Sequence, residues 1–103
     1  LKYVRGASFL VVTSPSRMAF ETVRKLLLLL KSLKAPVIGV IENMKMDESE
    51  YIRREVEALG EIFLGEIHFD RKLEESLGSV SKLLETSFAR EVEEIIQRIL
   101  AYN

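Results

Sequence analysis

"SFLVVTSPSRMAFETVRKLLLLLKSLKAPVIGVIENM", Ser8–Met44, sets two apolar, β-branched runs on either side of a helical pattern. Ser8–Thr13 is apolar without alternation, the pattern of a strand buried on both faces, as in a parallel sheet. Ser14-Pro15-Ser16 follows as a turn, with a proline suited to opening a helix and serines suited to turn and N-cap positions. From Arg17 to Leu33 the period changes. Ala19, Val23, Leu26, Leu27, Leu30 and Leu33 recur at spacings of three and four and predict one buried helical face. Leu28 falls on the opposite side, among Glu21, Arg24, Lys25 and Ser32. Pro36 stops the helix and introduces a second strand, Val37–Ile41. Strand, helix, strand at this spacing is a parallel crossover.

The same alternation continues outward. "DESEYIRREVEAL" (Asp47–Leu59) predicts a second helix, with Asp47 or Ser49 as N-cap and Gly60 as terminator. Its apolar stripe is Tyr51 or Ile52, Val56 and Leu59. "IFLGEI" (Ile62–Ile67) is the third strand, and Asp70–Leu77 a short helix capped by Asp70 and ended at Gly78. The last helix runs over Ser87–Tyr102, with Phe88, Val92, Ile95, Ile96, Ile99 and Leu100 on its buried side. The expectation is an α/β fold: a three-layer sandwich with a parallel sheet of three strands and helices on both faces. Right-handed crossovers put both connecting helices on one face. The terminal helix then covers the other.

Composition narrows the function. The chain has 103 residues, the size of a single compact domain, with 48% hydrophobic and 30% charged residues. Lys+Arg 15 against Asp+Glu 16 leaves a net charge of −1 and no basic stripe, which argues against nucleic acid as a partner. There are no cysteines, so disulfides, thiolate zinc sites and Fe–S ligands are excluded within these residues. Leu26–Leu30 is far shorter than the roughly 20 apolar residues of a membrane span, so no membrane partner is expected.

The end of the second strand raises the functional question. Open α/β sheets bind ligands at the carboxyl ends of their strands. Asn43 stands there, and its amide offers both donor and acceptor; it can equally turn the chain after the strand. His68, the single histidine, reads as a solvated residue at a strand end. Glu42 and the carboxylates of Glu48–Glu57 read as surface, the latter mixed with Arg53 and Arg54 on a polar helix face. The residues alone therefore indicate neither a catalytic group nor a metal ligand.

The residues from Gly6 to Met44 resemble the segment that follows the switch II aspartate in Mrp-type ATP-binding proteins, of the MinD/ParA group of P-loop ATPases. There a G-A-apolar strand ends in V-T-x-P, a helix with a V-R-K element follows, and then P-V-x-G-V-x-E-N-M. "LGEIHFDRKLEESL" is similar to the group's next strand, L-G-x-I-P-x-D, and its helix. His68 stands in place of the proline, and Ser16 in place of a common glutamine. The resemblance covers essentially the whole chain.

The resemblance implies the C-terminal part of a P-loop NTPase fold, bound to ATP with Mg in a cytoplasmic parent. It implies an adenine-side wall at Asn43, Met44, His68, Phe69 and Asp70. The phosphate loop G-x-x-x-x-G-K-[ST] does not occur in these residues, so no ATP hydrolysis is expected from them alone. The chain opens on Leu1 rather than Met, from which a longer parent is expected. The Ser8–Thr13 strand should neighbour the strand leading to the phosphate loop and, without it, present an edge for self-association. Many Mrp-type relatives carry Fe–S clusters on a C-x-x-C after E-N-M, whereas "ENMKMDESEY" has no cysteine. Two other readings stand beside this one: a free-standing interaction module without nucleotide chemistry, and a spatial-regulation ATPase of the MinD/ParA kind. The terminal helix lacks the basic amphipathic face of a membrane-targeting helix.

Overall fold

The computed structural model describes residues 8–70, 78–84 and 86–102. Three parallel strands, β1 (Phe9–Thr13), β2 (Val37–Lys45) and β3 (Phe63–His68), form a sheet in the order β1-β2-β3. Helix α1 (Arg17–Ser32) joins β1 to β2 and α2 (Tyr51–Ala58) joins β2 to β3. A short α3 (Val80–Leu84) precedes the long α4 (Ser87–Tyr102). The expected helix over Asp70–Leu77 lies, after Asp70, outside the described residues, and α3 has no counterpart in the apolar pattern.

Helix boundaries follow local chemistry. Ser16 caps α1, its Oγ accepting from Ala19 N–H at 3.2 Å. At the other end Lys34 takes a left-handed φ of 56°, donating to Lys31 O while Ala35 donates to Leu30 O. The same pair of bonds closes α2, with Gly60 at φ 79° donating to Glu57 O and Glu61 to Val56 O. Both are Schellman closures, which satisfy carbonyls the helix leaves open. Helix α2 starts four residues later than the pattern suggested. Asp47 Oδ1 accepts from Ser49 N–H and Ser49 Oγ from Tyr51 N–H, so the side chains offered as caps hold a turn before the helix.

Two apolar layers flank the sheet. On one face Phe20, Leu27 and Leu30 of α1 and Ile52 and Val56 of α2 pack with Val11 and Val40. Arg17 stacks over the Tyr51 ring at 4.1 Å and Arg24 reaches Glu55 at 3.4 Å, tying the two helices together. On the other face Ile95 of α4 packs with Ile41, Leu64 and Ile67, flanked by Phe88, Val92 and Ile99.

Three expectations about burial change. Phe20, absent from the expected stripe of α1, is fully buried, whereas Leu26 and Leu33 are exposed. Ile96 and Leu100 of α4 are exposed as well, because the helix lies over β3 and β2 and presents that side to solvent. For the same reason α4 leaves β1 uncovered: Leu10 is 44% and Val12 53% exposed. Leu28 is exposed, as its position opposite the apolar stripe of α1 required.

Candidate functional site

The carboxyl ends of β2 and β3 lie side by side, with Lys45 in register with His68. Phe69 N–H donates to Lys45 O at 2.9 Å, which seats the loop after β3 against the end of β2. Asn43 and Met44 are thereby brought beside His68, Phe69 and Asp70 at one sheet edge. Strand β2 runs past the expected end at Ile41 and carries Asn43 within it. Asn43 Oδ1 accepts from Met44 N–H at 2.9 Å, and Met44 takes a left-handed φ of 58°. The side-chain NH₂ of Asn43 remains as the group able to reach outward. Met44 and Phe69 are exposed apolar side chains at these two strand ends, of a kind suited to the faces of a planar ring.

Asp70 is differently occupied. Its Oδ2 accepts from Ser87 Oγ at 3.0 Å and lies 3.5 Å from Phe88 N, so it anchors the start of α4. Thr86 Oγ1 caps the same helix through Ala89 N–H.

Beneath this edge sits a charged cluster that the strand pattern does not announce. Glu42, expected at the surface, is 2% exposed, and Lys45 is 3% exposed. Lys45 Nζ lies 3.8 Å from Glu42 Oε1 and donates to Glu66 Oε2. Burial pushes the Glu42 carboxyl above its ordinary range, opposed by the nearby Lys45 ammonium. Burial also works against the Lys45 charge. The hydrogen bond to Glu66 and the field of Glu42 outweigh it and hold the ammonium above its usual value.

His68 is not simply solvated. Glu91 of α4 accepts from its backbone N–H at 2.9 Å and meets its ring Nδ1 at 2.6 Å. That hydrogen bond raises the imidazole above its ordinary value, against the lowering effect of partial burial. An open cleft of about 480 Å³ beside the ring is lined by Glu48, His68, Ser87, Arg90, Glu91 and Glu94. Glu91 lies 23 residues from His68 in the chain, and no spacing rule links them.

Comparison with known proteins places the chain in a family. A family model described as ParA, the NUBPL iron-transfer P-loop NTPases, matches residues 1–102. The chain belongs to this family. Among curated relatives of the NUBPL/ParA family, the iron–sulfur cluster carrier protein of Methanocaldococcus jannaschii is 30% identical over 105 residues, covering 88% of this chain and 36% of that protein. The cytosolic Fe–S cluster assembly factor Nubp2 homolog of Anopheles gambiae is 43% identical over 44 residues, or 43% of this chain and 17% of that protein. The chain therefore spans about a third or less of the length of these relatives. A plasmid partition protein of Borrelia burgdorferi, solved with AMPPNP bound, superposes with a TM-score of 0.62 over 90% of this chain and 39% of its own, at 18% identity. That likeness shows the α/β fold of ParA-like P-loop ATPases.

The groups such a family uses fit these residues unequally. The sheet edge has the amide and apolar side chains that an adenine ring needs. The thiolates of an Fe–S cluster have no donor here, since the chain has no cysteine. The lysine loop that holds ATP phosphates and Mg²⁺ is likewise not in this sequence.

Proposed function

We propose that these residues supply the adenine-side wall of a nucleotide site in an NUBPL/ParA-type ATPase, completed by a phosphate loop from outside them. The reading rests on one juxtaposition: Asn43 and Met44 at the end of β2 stand beside His68 and Phe69 at the end of β3. This is the edge where open α/β sheets bind ligands. Asn43 NH₂ hydrogen-bonds a ring nitrogen of the purine, and Met44 and Phe69 flank its faces. Asp70 acts from behind, by holding α4 against the loop. ATP with Mg is then the ligand of the complete site. Iron–sulfur carriage by the complete protein is supported by the names of two relatives, and its thiolates come from outside these residues. A cytoplasmic setting accords with the relative named as cytosolic, and no helix among the described residues is long and apolar enough to cross a membrane.

The test is Asn43→Ala in a protein that contains the phosphate loop. ATP affinity should fall by ~1–3 kcal/mol, about one to two decades, and ATP/GTP discrimination should narrow. Calorimetric affinities for both nucleotides that stay unchanged would refute the reading and favour an interaction module.

A further inference from the structure

His68 directs an unused ring nitrogen toward two carboxylates. Its Nδ1 contact with Glu91 Oε2 is 2.6 Å, and a carboxylate only accepts, so Nδ1 carries the proton. In the neutral ring Nε2 is then a bare lone pair. That atom is shut off from solvent and has no hydrogen-bond partner among the described residues. Glu48 Oε1 stands 3.7 Å from it, and one donor atom each of Glu48, Glu66 and His68 all fall within 4.8 Å of one another.

We propose that His68 Nε2, Glu48 and Glu66 form a binding site for a divalent transition-metal ion, with zinc as the matching probe and Glu91 as the residue that orients the imidazole. A tetrahedral zinc with ligands at about 2.0–2.1 Å spaces those ligands roughly 3.3 Å apart. The present spacing is wider, 3.7 Å from His68 Nε2 to Glu48 Oε1 and within 4.8 Å across the three, and Glu48, 89% exposed in its side chain, has room to move inward. The nitrogen-and-oxygen donor set selects a borderline ion over Mg²⁺, which prefers an all-oxygen octahedron. It also differs in kind from a thiolate cluster site.

The surrounding ion pairs leave His68 Nε2 without a hydrogen-bond partner among the described residues. Glu48 and Glu91 face the ring, and Lys45 pairs with Glu42 and Glu66. Lys45 is shared between Glu66 and the buried Glu42, whose Oε1 lacks a hydrogen-bond partner. The hydrogen bond from Nδ1–H to a carboxylate is the usual support of a metal-bound imidazole.

The experiment is a calorimetric zinc titration of the full chain, without nucleotide, at pH 7.5, with the His68 ring nitrogens followed by NMR. The expected result is one saturable site, a shift confined to Nε2, and no displacement by millimolar Mg²⁺. His68→Ala should abolish that site. Glu48→Gln, a change at an exposed residue, should weaken it at least tenfold. Glu91→Gln should weaken it about 10–100-fold, with the ring tautomer altered. Glu57→Gln, on the solvent side of α2, should leave it unchanged. Zinc binding that is undetectable, or insensitive to both Glu48→Gln and His68→Ala, overturns the proposal. Because no nucleotide is present, neither result bears on the adenine reading.

Discussion

Lys45 Nζ lies 3.8 Å from Glu42 Oε1 with each side chain 3% exposed, two opposite charges buried three residues apart on one strand. A regular strand puts such residues on opposite faces. Met44 reverses this: its left-handed backbone, at φ 58°, coincides with the break in register between Glu42 and Lys45 and turns the lysine back toward the glutamate. Removing one partner strands the other charge. Lys45→Met should cost about 3–5 kcal/mol by urea denaturation, and Lys45→Met with Glu42→Gln should recover most of it. A double variant no more stable than the single would show that Lys45 acts mainly through Glu66.

Gly39 should not tolerate a side chain. A Cβ there would lie 2.6 Å from Leu64 Cγ and 2.8 Å from the carbonyl oxygen of Ile62, which accepts from Val40 N–H in the sheet. Since backbone cannot yield as a side-chain tip does, Gly39→Ala should destabilise by ~1–3 kcal/mol. An equally stable variant would mean that β2 and β3 pair less closely.

The His68–Glu91 pair makes stability depend on pH. Its folded value is raised above the ordinary 6.5 by Glu91, so the folded state holds the proton more tightly than the unfolded state. The contribution is complete below about pH 6.5 and is lost as pH rises through the folded value. The stability difference between the wild type and His68→Gln should therefore shrink from pH 6 toward alkaline pH. A difference that stays constant, measured without metal ions, would show that the ring contributes by packing alone.

Uncovered apolar surface on β1 should drive association. Among the described residues β1 pairs only with β2, and Leu10 and Val12 are 44% and 53% exposed. Sedimentation equilibrium at micromolar concentration should show self-association, and Val12→Lys should shift it toward monomer. A wild-type monomer would refute the association.

Nucleotide binding by these 103 residues alone should be weak. Adenine contacts without phosphate contacts support affinity of about millimolar or weaker. NMR titration with Mg-ATP should show small shifts at Asn43, Met44 and Phe69. Micromolar affinity would place phosphate-binding groups within this chain.

Much of this molecule was decided by the sequence. The unbroken apolar runs at Phe9–Thr13 and Val37–Ile41 fixed parallel strands, and the three-and-four spacing of Val23, Leu27 and Leu30 fixed the crossover helix. The motif from Gly6 to Met44 pointed to the family that the comparisons show, and Asn43, expected just past the strand, lies within it. These signals are local, since periodicity and punctuation act over a few residues. The charged cluster was decided only by tertiary structure. Glu42 reads as surface until Met44 turns the chain, and His68 reads as solvated until α4 docks and delivers Glu91 from 23 residues away. The exposure of Leu10 and Val12 has the same origin, because an apolar residue becomes core only where another element is packed over it, and α4 lies over β3 and β2 instead.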